Sequence, residues 1–188
     1  MTRPWEAPPT GAAAARVDRF AALVPVIATE RLRLRAPRIG DFPIYARFLI
    51  DSDLDAAPET QREEAWLDFC QIIASWPLRG FGSWTADNRI GQAVGAVVVN
   101  HEFGDPEVEL GWTVAKDAEG QGIATEAASA ARSHLFGAMG FASLVSYIDP
   151  VNTRSITVAE RLGARRDPQA EAALNDEILV YRHSPESQ

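Results

Sequence analysis

The stretch Glu119-Gly120-Gln121-Gly122-Ile123-Ala124-Thr125 holds the densest chemical signal in the chain. Two glycines one residue apart let the backbone approach a ligand closely and turn several N–H groups inward. The helix that follows presents its positive end at the same point, so the loop suits an anion such as a phosphate. Two competing phosphate motifs are absent. No Gly-Lys-Ser/Thr closes a P-loop, and Thr125 stands where a dinucleotide-binding Gly-x-Gly-x-x-Gly needs its third glycine. Taken alone, the fragment reads equally as a tight strand-to-helix turn with no ligand.

The elements that must position this loop are legible from periodicity. Residues 108–115 form a strand before it, and a long alanine-rich helix runs from it to about Gly140. Residues 141–148 then read as a further strand, giving a β-α crossover. Residues 152–162 follow as a helix stopped by Gly163, and 177–183 as the last strand. Upstream, residues 30–35 alternate strictly, so Leu32 and Leu34 share one face and Arg31, Arg33 and Arg35 take the solvent face. Gly40-Asp41-Phe42-Pro43 opens a helix carrying Phe42, Tyr45, Phe48 and Leu49 on its apolar side. Thr60-Gln61-Arg62-Glu63 has the form of a capping box before a helix reaching about Trp76. Residues 81–86 and 90–100 pair as a hairpin across Asp87-Asn88-Arg89. Residues 1–28, with four of the twelve prolines, read as an N-terminal extension holding a short helix around Val17 to Leu23. The domain then spans 29–183, with a tail at 184–188. Intermingled helices and strands give an α/β or α+β class with a mixed sheet.

Composition narrows the functions available to this scaffold. A chain of 188 residues fits one domain and buries enough surface to need neither disulfides nor structural metal. Acidic residues outnumber basic ones 26 to 18, so the net charge of -8 repels polyanions and makes nucleic acid an improbable partner. The single cysteine, Cys70, forbids an intramolecular disulfide, excludes thiolate metal clusters and fits a reducing, cytoplasmic setting. It reads as a buried, inert thiol on the 60–76 helix. No segment approaches the ~18 uninterrupted apolar residues of a membrane span, and the first residues lack a signal-peptide apolar run.

Three segments in order carry a more specific signal: Val108-Glu-Leu-Gly-Trp-Thr-Val, Glu119-Gly-Gln-Gly-Ile-Ala-Thr-Glu-Ala, and Asn152-Thr-Arg-Ser155 with Glu160-Arg-Leu-Gly-Ala164. Together they resemble the GNAT superfamily of acyl-CoA-dependent N-acetyltransferases, within it the branch similar to ribosomal-protein amino-terminal acetyltransferases. The likeness runs from about Thr29 to Arg182. It implies a single domain with a central, mostly antiparallel mixed sheet of about six to seven strands flanked by helices. Acetyl-CoA would sit where the strands at 108–115 and 141–148 splay apart. The family's Gln/Arg-x-x-Gly-x-Gly/Ala pattern falls on Glu119, Gly122 and Ala124. It implies that backbone N–H groups of Gly120, Gln121, Gly122, Ile123, Ala124 and Thr125 hold the CoA pyrophosphate. Glu119 departs from the pattern, and its carboxylate is expected to face solvent.

The same resemblance places Asn152 beside the pantetheine arm, although a plain helix N-cap explains that residue as well. Ser155 lies about one turn further on the same side and becomes the candidate for hydrogen-bonding the departing thiolate, because the tyrosine many relatives carry seven residues after the asparagine is Ala159 here. A backbone N–H near Thr113 or Val114 would polarise the thioester carbonyl. The incoming amine is charged at neutral pH and needs a proton acceptor. Glu109 is favoured by its position in the motif; Glu107 shares its face and is not separable by sequence, and His101 is a weaker candidate. Trp84 and Trp112 are candidates to line the acceptor pocket, against the commoner role of tryptophan in a core. The implied reaction is direct acetyl transfer to a primary amine of a small molecule or peptide. A non-catalytic acyl-CoA-binding protein and a nucleotide-binding enzyme using the same loop are the alternatives. The acidic surface suits a basic acceptor, and related enzymes often form homodimers.

Overall fold

A computed structural model describes residues 3–50, 53–174 and 177–185. In chain order the elements are α1 (Gly11–Ala21), β1 (Ile27–Ala28), β2 (Leu32–Arg35), α2 (Phe42–Tyr45), α3 (Glu59–Arg79), β3 (Trp84–Asn88), β4 (Ala93–Asn100), β5 (Glu109–Val114), α4 (Ile123–Gly137), β6 (Leu144–Ile148), α5 (Thr153–Arg161), β7 (Arg165–Arg166), α6 (Pro168–Ala173) and β8 (Leu179–His183). The strands form one sheet in the order β1-β2-β3-β4-β5-β6-β8-β7. Every pairing is antiparallel except β5 with β6, the two strands joined by the α4 crossover. Two-residue edge strands, too short to carry a period, bring the total above the six to seven expected from the sequence.

Period-two alternation in β4 divides the core between the two faces. Val97 and Val99 join Leu110, Ala128, Ala131 and Leu135 beneath α4, whose alanines allow close helix-to-sheet approach. Ala96 and Val98 join Phe42, Tyr45, Phe69 and Ile72 beneath α2 and α3 on the opposite face. Among the described residues no helix is long and apolar enough to cross a membrane.

Several local expectations change once tertiary partners are present. The helix expected from Phe42 to Leu49 breaks into a four-residue α2 followed by a 3-10 turn at Ala46–Phe48. Helix α3 starts at Glu59 behind Pro58, so Thr60 lies inside it and forms no capping box; it continues past Pro77 to Arg79. Cys70 is exposed rather than buried, because the buried side of α3 carries Ala65, Phe69 and Ile72 instead. Arg35 does not share a solvent face with Arg33: it is 8% exposed and bonds the carboxylates of Asp41 and Asp87, each at 2.7 Å. Two acidic partners from separate segments supply what alternation within one strand cannot reveal. Residues 1–28 contribute the edge strand β1 and place Glu6 against buried Arg62 and Arg3 against Glu59. Helix α1 presents no buried residue, and residues 186–188 of the tail lie outside the described residues.

Candidate active site

The site is built where the sheet comes apart. Strand β5 pairs with β6 at one position only, Glu109 opposite Val145. Val145 N donates to Val108 O at 3.1 Å, and the Ser146 hydroxyl donates to Leu110 O at 2.5 Å while also contacting His183 Nε2 at 3.0 Å. Beyond that clasp the strands diverge, leaving backbone groups of β5 without a ladder partner. Burial pushes the His183 imidazole down to about 4, so it stays neutral beside Ser146.

A groove of about 850 Å³ opens from the parting strands toward the start of α4. Trp112, Thr113 and Val114 of β5, Gly120, Gly122, Ile123, Ala124 and Thr125 of the loop, and Asn152 and Ser155 of α5 all line it. Gly120 and Gly122 adopt φ of 73° and 77°, a left-handed backbone that glycine enters without the Cβ penalty, and Gly122 caps α4. Gln121 is held from behind, its carbonyl accepting from Arg31 Nη1 at 2.8 Å. In antiparallel pairing N–H groups alternate in direction. Ala115 N donates to Val94 O, so Thr113 also faces β4, whereas the N–H groups of Trp112 and Val114 face the groove. Asn152 spends Oδ1 as the N-cap of α5, accepting from Ser155 N at 3.0 Å.

Glu119 does not face bulk solvent. Its carboxylate pairs with Arg47 at 2.7 Å and Arg154 at 2.9 Å, two guanidinium groups that sequence reading passed over and that line the groove along with Arg161. Arg47 also donates to Val114 O at 2.9 Å, tying the 3-10 turn to β5. The acid at this unusual position is thereby neutralised, and the groove retains arginines facing the anion cradle. An elongated ligand with a phosphate-bearing tail fits this set of donors.

A second cavity of about 550 Å³ lies on the α3 face and shares Phe48, Glu109 and Gly111 with the groove. Glu109 is therefore the one ionisable group common to both. The residue keeps partial exposure to the cavity, yet burial of its carboxyl, then repulsion from Asp105, Glu102 and Asp68, pushes it up to about 8. A Cβ on Gly111 would lie 3.6 Å from both Glu109 Oε1 and Phe48, ordinary contact distance at the wall the two cavities share. Tyr147 of β6 lines the groove next to this junction, and burial raises its phenol above the usual range.

The remaining candidates fall elsewhere. Glu107 is bound by both terminal nitrogens of Arg182 at 2.6 and 2.7 Å, which holds its carboxyl below the usual range, and it lines neither cavity. His101 contacts Asp105 O at 2.9 Å and also lines neither. Trp84 is fully buried between Trp76 and His134 and donates to Pro25 O at 2.8 Å, a core position remote from both cavities. Ala159 packs in the core with Ile148, Ala164 and Tyr181, leaving no space there for the tyrosine of other relatives.

Comparison with known proteins places the chain in a family. Residues 31–165 match the acetyltransferase (GNAT) domain family. An acetyltransferase structure from Agrobacterium tumefaciens str. C58 is 37% identical and superposes with a TM-score of 0.73 over 85% of this chain and 94% of that one. YkkB, an uncharacterized protein of Bacillus subtilis (strain 168), is 28% identical over 73% of this chain and 83% of its own length. RimJ of Mycobacterium smegmatis, solved with a CoA disulfide, shares the fold at 19% identity and a TM-score of 0.59, covering 82% of each chain. With residues 31–165 matched, the chain belongs to the GNAT family of acetyltransferases, enzymes whose acyl donor is acetyl-CoA.

Proposed function

We propose that the protein transfers the acetyl group of acetyl-CoA directly to a primary amine, without a covalent enzyme intermediate. The observation that carries this reading is the meeting of two cavities at Glu109 and Gly111, where β5 leaves β6. One is lined by the glycine loop and arginines and suits the donor; the other opens on the α3 face and suits the acceptor.

The backbone N–H groups of residues 120–125 hold the pyrophosphate, with Arg47 and Arg154 beside them and Glu119 fixing the two guanidiniums. The groove-facing N–H of Val114 polarises the thioester carbonyl and stabilises the oxyanion of the tetrahedral intermediate. Glu109 takes the amine proton, directly or through one water, and the amine nitrogen attacks the carbonyl carbon. As the intermediate collapses, the nitrogen gives its remaining excess proton to water, the C–S bond breaks and the thiolate leaves. Ser155, lining the groove near Asn152, hydrogen-bonds that sulfur while a proton arrives from water.

Calorimetric titration with acetyl-CoA, with ATP as control, tests the donor site; micromolar binding that ATP does not reproduce is expected. Thiol release in the presence of a primary amine tests transfer. Binding without amine-dependent thiol release identifies the non-catalytic acyl-CoA-binding alternative.

A further inference from the structure

The acceptor cavity carries a charge pattern opposite to that of the donor groove. The groove is bordered by Arg47, Arg154 and Arg161. The cavity on the other side of Glu109 is lined by Glu64, Asp68 and Glu102 and, among the described residues, by no lysine, arginine or histidine. Glu64 and Asp68 lie four residues apart on α3 and so present one acidic stripe. Glu102 reaches the cavity from the loop after β4, held by Asn100 Nδ2 at 3.0 Å. Between these acids the walls are mostly apolar, with Phe48, Leu49, Leu67, Ile72 and Val98, and Gln71 adds one uncharged polar group.

The chemistry of the two wall types defines the occupant. Asp68 is half-buried and repelled by the exposed Glu102, with the exposed Glu64 one turn before it on α3, and a cationic ligand relieves that repulsion. Among the described residues no group of three acids converges tightly enough to hold a metal ion, so the charges are spread along the cavity. Spread carboxylates separated by apolar wall match ammonium groups separated by methylenes.

The geometry points to an aliphatic di- or polyamine as the acceptor, with the reacting nitrogen at Glu109 and a second ammonium held by Asp68, Glu64 and Glu102. This rests on the acetyl-transfer reading and adds its substrate class. The cavity, at about 550 Å³, is roomy enough for such a chain in extended form. The second ammonium stays charged throughout the reaction, which separates recognition from chemistry: Glu109 deprotonates one nitrogen while the α3 acids retain the other.

The test compares putrescine and spermidine with pentylamine, which replaces the second ammonium of putrescine by a methyl group of similar size. In wild-type protein with saturating acetyl-CoA, kcat/KM for putrescine exceeds that for pentylamine at least tenfold at low salt, and the ratio narrows as salt rises. At pH 9, where Glu109 is already mostly ionised, Asp68→Asn and Glu64→Gln raise KM for putrescine with little change in kcat, bring the ratio toward one, and leave the acetyl-CoA Kd unaltered. Calorimetry in buffers of differing ionisation enthalpy shows proton release when putrescine binds. Equal kcat/KM for the two amines, or a ratio insensitive to Asp68→Asn, overturns the charge-recognition proposal while thiol release keeps the transferase reading intact. Acetyl-CoA binding without turnover on any amine sinks the transferase reading instead. In that case putrescine binding, read separately by calorimetry, still decides the acidic cavity, and its absence overturns the proposal.

Discussion

Replacing Glu109 by glutamine separates the catalytic and structural consequences of one buried carboxyl. Its proton affinity is raised from 4.5 to about 8, chiefly by burial and then by Asp105, Glu102 and Asp68, while Tyr147 contributes a backbone hydrogen bond. At pH 7 only about a tenth of the free protein holds Glu109 ionised and able to accept a proton. The kcat/KM profile therefore climbs close to tenfold per pH unit below 8 and flattens above it. Glu109→Gln removes that ionisation from the profile and lowers kcat/KM about 100-fold or more, the usual range for a lost general base. The fold pays for this poise. A carboxyl raised in the native state stabilises fully below its unfolded value near 4.5 and loses that contribution as pH rises through about 8. The full displacement corresponds to about 5 kcal/mol, and partial exposure reduces it to roughly 2 kcal/mol. Wild-type and glutamine proteins should melt alike at pH 5, and the variant should be about 4–8 °C more stable at pH 9. Melting curves at five pH values, paired with thiol-release kinetics at the same values, measure both effects. Parallel melting across that range, together with an ionisation near 8 that persists in the variant, would falsify the assignment of the base.

Other perturbations test the surrounding architecture. Gly122→Ala forces a Cβ into a left-handed position at the cap of α4; it should cost about 1–2 kcal/mol in denaturant unfolding and weaken acetyl-CoA binding. Arg35→Met leaves Asp41 and Asp87 buried without their counter-charge and should destabilise by about 3–5 kcal/mol, with a Tm drop that acid pH partly reverses. Ala159→Tyr should overpack the α5 core by about 1–3 kcal/mol and add no catalytic acid, so its kcat should not exceed wild type. The paired change Arg47→Ala and Arg154→Ala should weaken acetyl-CoA binding about tenfold at low salt and less at high salt, read by calorimetry.

How the site divides between local and distant information is clearest residue by residue. The loop at 119–125 was legible because its requirement is local: glycines at 120 and 122 take positive φ, and a helix begins at the next residue. The crossover from β5 through α4 to β6 and the cap at Asn152 were legible for the same reason, since periodicity and capping chemistry act within a few residues. Glu107 and Glu109, two residues apart on one strand, were indistinguishable until Arg182 of β8 claimed the former and α3 enclosed the latter. The pairing of Glu119 with Arg47 joins positions 72 residues apart. Arg35 turned from an expected surface residue into a buried one through Asp41 and Asp87. The acidic stripe of Glu64 and Asp68 gave no sign of a cavity, because the opposite wall comes from β4, β5 and the turn at Phe48. By itself the sequence determined the order of the main elements, the glycine turn at 120–122 and the family resemblance, all properties of neighbours along the chain. Only the tertiary structure separated Glu109, enclosed between two cavities, from Glu107, held by Arg182, and gathered the acids of the α3-side cavity, because proton affinity and complementarity depend on desolvation and on charges brought together from distant segments.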